Sequence, residues 1–245
     1  MPNIIEPANI FSEKAGLVGG HREAYVGTSS TAVAQARASL WADRGSGGQC
    51  SLKSSNNQDG AAGNQGALSV RVTYYRGDGS GPYTENVNLN GTSGVNMVET
   101  SLRFVENIEV LTVGTNGANM GNVDVMSSTG GAGSVLGRIN TGENRTLWAL
   151  HWVPPGVTMH LLSVRCGIQG GTVGRVMGRF QNLFDSAAAN VDKFFGLRVA
   201  GNQNGVEHAF ATPVRLSGPG LFVLWVRADD STASTWFPGF TFFDQ

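Results

Sequence analysis

Leu147-Trp148-Ala149-Leu150-His151-Trp152-Val153-Pro154-Pro155-Gly156 stands within a stretch from Asn86 to Gly167 in which short apolar runs are divided by glycine-rich turns. Pro155 and Gly156 suit the two central positions of a type II turn, because proline presets its φ and glycine accepts a positive one. The runs on either side then read as strands. A two-residue loop here places Val153 opposite Thr158, Trp152 opposite Met159 and His151 opposite His160. The same wording continues outward. Leu68-Ser69-Val70-Arg71-Val72-Thr73-Tyr74 alternates apolar with polar residues, Gly77-Asp78-Gly79-Ser80-Gly81 turns the chain, and Tyr83 to Leu89 alternates again, which predicts a hairpin.

Further runs span Leu102 to Val113, Asn122 to Met126, Ser134 to Ile139, Val157 to Cys166, Arg175 to Phe180, Phe194 to Val199, Ala211 to Leu216, Leu221 to Arg227 and Phe237 to Phe243. Each is bounded by Gly, Asn, Asp or Pro. So many short strands at this spacing predict an all-β fold, an antiparallel two-sheet sandwich that is jelly-roll-like. No fixed-period repeat argues for a propeller or a β-helix. Asn182 to Val191, with Ala187-Ala188-Ala189, is the one helical interlude, and the segment around Val33 to Trp41 fits either a short helix or a strand.

Composition bounds the rest. The 245 residues can bury a large core as one sandwich or as two small domains, and one domain over 23–245 is the expectation. Glycine is frequent, at 35 residues, and charged residues make up only 14%, which disfavours a helical bundle with its many Lys, Glu and Arg. The net charge is -1, and the only lysines are Lys14, Lys53 and Lys193, so no basic stripe exists to neutralise a run of phosphates and no nucleic-acid partner is expected. Met1 to Glu6 hold no basic region followed by a long apolar one, and Leu221 to Val226 is too short to span a bilayer, so the reading is of a protein that is not exported and has no membrane partner. Cys50 and Cys166 are then expected to be free thiols.

Residues 1–22 read as an extended N-terminal arm. Ile4, Ile5, Ile10 and Phe11 follow no strand or helix period and lie between Pro2, Pro7 and the breaks at Gly16 and Gly19-Gly20. An arm this apolar needs a surface to cover it, since each such side chain contributes about 1.5–3 kcal/mol when fully buried. These four residues are therefore the candidate interface. Residues from about 43 to 66 are rich in Gly, Ser, Asn and Gln and read as a long polar surface loop.

Catalytic signatures are missing. There is no Walker motif, G-x-S-x-G elbow, H-E-x-x-H or C-x-x-C, and Gly130-Gly131-Ala132-Gly133 is followed by the strand-like Ser134-Val135-Leu136 instead of the helix start that holds a phosphate. Opposed His151 and His160 supply too few ligands for zinc, so no metal is expected. Arg76-Gly77-Asp78 spells a recognition tripeptide but sits in a glycine-rich turn that needs those residue types. Glu85, Glu99, Glu106, Glu109 and Asp124 alternate with apolar neighbours as solvent-facing strand residues do, and nothing selects the carboxylate pair that a glycosidase needs. Neither a catalytic residue nor a cofactor site is assigned.

Thr84-Glu85-Asn86-Val87-Asn88-Leu89-Asn90-Gly91-Thr92-Ser93-Gly94-Val95 resembles an E-x-V-x-L-N-G-T segment found in a group of tailed-bacteriophage virion proteins. The similarity continues in order through Phe104-Val105-Glu106-Asn107-Ile108-Glu109-Val110, through Gly114-Thr115-Asn116-Gly117-Ala118-Asn119-Met120-Gly121-Asn122-Val123, and into Val153-Pro154-Pro155-Gly156, where the group usually reads V-P-A-G. It covers Val70 to Gly167. The resemblance implies a viral structural protein similar to capsid decoration, or cement, proteins. Such a protein would be made in the host cytoplasm, assemble as a homotrimer and bind the phage major capsid protein on the capsid surface. The alternative is a tail or fibre component binding a host surface carbohydrate, with Trp41, Trp236 and Tyr83 as stacking candidates.

Overall fold

A computed structural model describes residues 18–23, 26–28, 34–35, 44–169, 174–181, 196–199, 206–228 and 234–245. In chain order the strands are β1 (Val18–Glu23), β2 (Val26–Thr28), β3 (Ala34–Gln35), β4 (Ser51–Ser54), β5 (Ala67–Arg76), β6 (Tyr83–Asn88), β7 (Val95–Asn96), β8 (Leu102–Val113) and β9 (Val123–Met126). They continue with β10 (Val135–Ile139), β11 (Leu150–Val153), β12 (Thr158–Gln169), β13 (Gly174–Gln181), β14 (Gly196–Val199), β15 (Val206–Ser217), β16 (Gly220–Ala228) and β17 (Ser234–Asp244). The only helix among the described residues is one 3-10 turn at Thr129–Gly131. The fold is all-β, and every strand pair among the described residues is antiparallel.

The strands gather into two compact units, 1–37 with 148–245 and 38–147, where the sequence reading favoured one domain over 23–245. In the first unit one sheet runs β1-β17-β12-β15 and the other β11-β16-β13-β14, with β2 beside β17 and β3 beside β16. Their inner faces share one core that includes Val153, Met159, Leu161, Val164 and Phe240 with Phe180, Phe222, Leu224 and Val226, all buried. This is the antiparallel two-sheet sandwich that the alternation predicts. Pairing is nested: β13 with β14, β12 with β15, β11 with β16 and β1 with β17. The unit is thus one long hairpin folded over, and the pairs β12–β17 and β13–β16 roll it into two sheets.

The second unit holds a three-stranded sheet, β6-β5-β8, and a four-stranded one, β10-β9-β4-β7. The β5–β6 hairpin forms where the sequence predicts it, with Tyr74 opposite Tyr83 and Val70 opposite Val87.

Three expectations need correction. The segment 43–66 is not a loop throughout: β4 lies within it, buried and paired with β7 and β9. The arm does not extend to residue 22, because β1 pairs with β17 from Val18 opposite Asp244 to Glu23 opposite Gly239. The third concerns Pro155-Gly156. The turn is type II, with Gly156 at φ 78 and the Val157 N–H donating to the Pro154 carbonyl at 3.2 Å. The strands it joins do not pair. A type II turn lacks the twist that matches two paired strands, so β11 and β12 splay into different sheets. Of the remaining expectations, the helical interlude at 182–191 lies outside the described residues.

Candidate functional site

A cluster of polar side chains lies where the β5–β6 turn meets the segment 97–101. Glu99 is its centre, with a side chain only 7% exposed. One carboxylate oxygen accepts from Arg76 Nε at 2.8 Å and from the Tyr74 hydroxyl at 3.2 Å. The other accepts from the Thr100 and Ser101 backbone N–H groups and from the Ser101 hydroxyl. Glu85 reaches the same segment from β6, its two oxygens accepting the N–H groups of Val98 at 2.7 Å and Glu99 at 3.1 Å. The Arg76 guanidinium sits 4.1 Å above the Tyr83 ring, which tilts against Tyr74.

Burial alone would raise the Glu99 pKa, but the bonds from Arg76 and Ser101 outweigh it and hold the carboxyl down at about 2. Burial and the neighbouring Glu99 carboxylate push the Tyr74 phenol up to about 12. A folded-state pKa held below the unfolded value means that the stabilisation is complete above the ordinary carboxyl range and is lost as pH falls toward 2. The second unit should therefore lose on the order of 2–3 kcal/mol through this group between about pH 5 and pH 2. Glu99→Gln should lower stability at neutral pH and flatten that acid limb. Urea unfolding midpoints measured down the pH series check this, and an equally steep limb in the variant contradicts it.

The other carboxylates singled out in the sequence are also held by the fold. Glu109 on β8 pairs with Arg71 at 3.1 Å. Asp124 on β9 takes a two-point contact from Arg138 directly opposite on β10, at 2.5 and 2.7 Å, and Glu106 is buried with bonding partners of its own. Arg76 of the recognition tripeptide is engaged by Glu99, and Asp78 accepts from the Ser80 N–H inside its turn.

The two histidines come apart because their strands do. His151 faces Phe222 in one sheet, while His160 faces Arg215 and Phe243 in the other. His151 is 3% exposed, its ring 4.0 Å from that of Phe242, and its Nε2 lies 2.8 Å from Asp244 Oδ2 across the sandwich. His160 stacks almost parallel on Phe243 at 4.4 Å, and burial followed by the positive charge of Arg215 lowers its pKa. Among the described residues no group of three or more His, Cys, Asp or Glu is placed to hold a metal ion.

The residue that sequence reading missed is Asp59, which lies within the segment 43–66 read as a polar surface loop. Asp59 is fully buried. Its carboxylate accepts from the Ser54 hydroxyl at 2.5 Å, the Ala67 N–H at 2.7 Å and the N–H groups of Met120 and Gly121 at 2.9 Å each. One carboxylate thereby ties the segment after β4 to the β8–β9 connection. The nearest sequence signal is an acidic residue between two glycine-rich stretches, too common to be read.

Ile4, Ile5, Ile10, Phe11 and Trp41 lie outside the described residues, and of Trp236 only the backbone is described, in β17. Tyr83 is half-buried beneath Arg76. Cys50 and Cys166 are both buried, and neither forms a disulfide. No helix among the described residues is long and apolar enough to cross a membrane. Neither a model of a known protein family nor a curated protein sequence matches this chain.

Proposed function

We propose that this protein is a non-enzymatic virion structural component of a tailed bacteriophage, a capsid decoration protein that binds and stabilises the shell of major capsid protein as a homotrimer on the capsid surface. The observation that carries the reading is the nested strand order of the first unit, first with last and so inward, divided between two sheets. That order is the one expected of a jelly roll, an architecture used by viral capsid proteins, lectins and cupins, and it supports this reading. The second unit then enters as an insertion between the first and second of the eight nested strands, after β3 and before β11.

The chemistry supports a structural role. Glu85, Glu99, Glu109 and Asp124 each hold a backbone amide, an arginine or both, so these carboxylates act as parts of the scaffold. Jelly rolls also serve as lectins, which keeps a tail or fibre component binding a host carbohydrate as the second reading. Copy number per particle tests the two. Quantitative mass spectrometry of purified virions should find hundreds of copies, together with co-sedimentation of the protein with undecorated shells. A dozen copies or fewer would overturn decoration in favour of the tail or fibre reading.

A further inference from the structure

An asparagine followed by glycine carries a chemistry of its own. With no side chain on the following residue, its backbone nitrogen can swing onto the asparagine Cγ and close a five-membered imide, a succinimide. The described residues hold two such pairs, Asn90-Gly91 and Asn116-Gly117, and Asn204-Gly205 lies outside them. In sequence the two are alike. The fold separates them.

Asn90-Gly91 is built into the second unit. Asn90 bridges to both Gly60 and Ser93, and its carbonyl accepts from the Ser93 N–H at 3.1 Å. Gly91 is buried, its carbonyl accepts from the Ser54 N–H of β4 at 2.8 Å, and a Cβ placed on it would come within 3.1 Å of Asn57 Cα. Turning this peptide to bring the Gly91 nitrogen onto Asn90 Cγ breaks contacts on both sides.

Asn116 and Gly117 are both exposed, in the turn that follows β8. The chain entering the turn is fixed, since the Gly114 N–H donates to the Gly66 carbonyl at 2.7 Å and the Asn116 N–H to the Gln65 carbonyl at 2.9 Å. The chain leaving it is held more lightly. The Gly117 N–H donates to the Gly114 carbonyl at 3.2 Å, the long end of the hydrogen-bond range, and the Gly117 carbonyl accepts from Asn144 Nδ2 at 3.0 Å. The Asn116 side chain has its Nδ2 2.9 Å from Met120 Sδ, a weak acceptor. Gly117 has φ 71, and a Cβ on it would meet nothing within 4 Å, so open space borders the attacking nitrogen. Opening one long bond in an exposed turn costs far less than opening a buried bridge.

We infer that Asn116 is a self-modifying site, converted to aspartate and isoaspartate through a succinimide with Gly117, and that the fold withholds the same reaction from Asn90. The Gly117 nitrogen gives up its proton and bonds to Asn116 Cγ. The Cγ–Nδ2 bond breaks and ammonia leaves. Water then opens the imide at one carbonyl to give aspartate, or at the other to route the main chain through the β-carboxyl and lengthen it by one methylene. Either product adds one negative charge to a chain whose net charge is -1. It also replaces the amide that donates to Met120 Sδ, and Met120 is one of the residues whose N–H groups Asp59 holds.

The test ages the full chain in mildly alkaline buffer made with oxygen-18 water, once folded and once in urea. Trypsin, cutting after Arg76, Arg103 and Arg138, puts Asn90 and Asn116 on different peptides. Mass spectrometry counts the label, and isoaspartyl methyltransferase reports the isomer. In urea the two peptides should react at similar rates. In the folded chain the ratio of Asn116 to Asn90 modification should be larger than in urea by at least about tenfold, the protection that burial of the Asn90 bridge supplies. Asn116→Gln keeps an amide but favours no five-membered ring, and should abolish the label in its peptide. A folded ratio short of that increase overturns the inference, as does label that persists in the same peptide of Asn116→Gln, which would place the reaction at another asparagine.

Discussion

Asp59→Ala is expected to unfold the second unit, or to bring it to the edge of unfolding, although the substitution removes only a carboxylate and touches no apolar contact. The carboxylate is the partner of three backbone N–H groups, on Ala67, Met120 and Gly121, and of the Ser54 hydroxyl, at a position with no solvent exposure. Each buried donor left without an acceptor costs about 1–3 kcal/mol, so the change amounts to roughly 3–6 kcal/mol even if water reaches one of them. Whole domains are stable by only about 5–15 kcal/mol. Asp59→Asn tests the assignment more finely. Both carboxylate oxygens accept two bonds each, so an amide nitrogen placed at either one would confront donors, and the variant should recover only part of the loss. Urea unfolding gives the magnitude. Hydrogen exchange gives the mechanism, through lost protection at the Ala67, Met120 and Gly121 amides before any other in the unit. Protection unchanged at those three amides would show that Asp59 is dispensable.

The same residue explains where the sequence was readable and where it was not. Strands β5, β8, β9 and β10 follow from alternation and from the glycines that bound them, and Leu102–Val113 is a strand with the limits that its pattern predicts. Alternation reports burial on one face, and it fails when polar residues are buried against each other. Ser51-Leu52-Lys53-Ser54 has a single apolar member, yet both serines are buried. Ser51 Oγ donates to the Ser128 carbonyl and accepts from the Gly131 N–H, while Ser54 Oγ donates to Asp59. With its donors and acceptors paired internally, β4 carries the composition of a loop and the environment of a core strand.

Partner choice was the second obscure element. Adjacent strands in sequence usually pair, and that rule gave β5–β6 correctly and β11–β12 incorrectly. The outermost nested pair of the first unit joins the first and last strands described, and nothing local encodes that β1 meets β17. Gly19-Gly20 reads as a break in sequence, whereas in the sheet those glycines stand opposite Phe243 and Phe242, an arrangement in which a neighbouring aromatic compensates an edge strand for its missing side chains. The candidate site was legible only as an inventory of carboxylates. That Glu85 and Glu99 converge on one segment depends on the β5–β6 hairpin and on the chain returning through β7, and no spacing rule contains that.

Removal of residues 1–17 is expected to leave the fold intact and to weaken assembly by orders of magnitude. Ile4, Ile5, Ile10 and Phe11 lie in the removed segment, and each contributes about 1.5–3 kcal/mol when fully buried against a neighbour, before the entropy of ordering the arm is subtracted. Even half of that sum corresponds to more than a hundredfold in affinity. The position of the cut decides whether the result can be interpreted. A chain starting at His21 would strip the partners of Asp244, Phe243 and Phe242 from β17, beside the His151 contact, and would confound folding with assembly. A chain starting at Val18 keeps all of β1. A chain starting at Tyr25 then serves as the comparison, because it lacks β1 entirely and should lose thermal stability in the first unit. The expected pattern is a Val18 chain that melts as the parent does but fails to bind shells tightly or to sediment as the parent oligomer. If that chain decorates shells with parental affinity, the arm carries no assembly energy and Ile4, Ile5, Ile10 and Phe11 are not an interface.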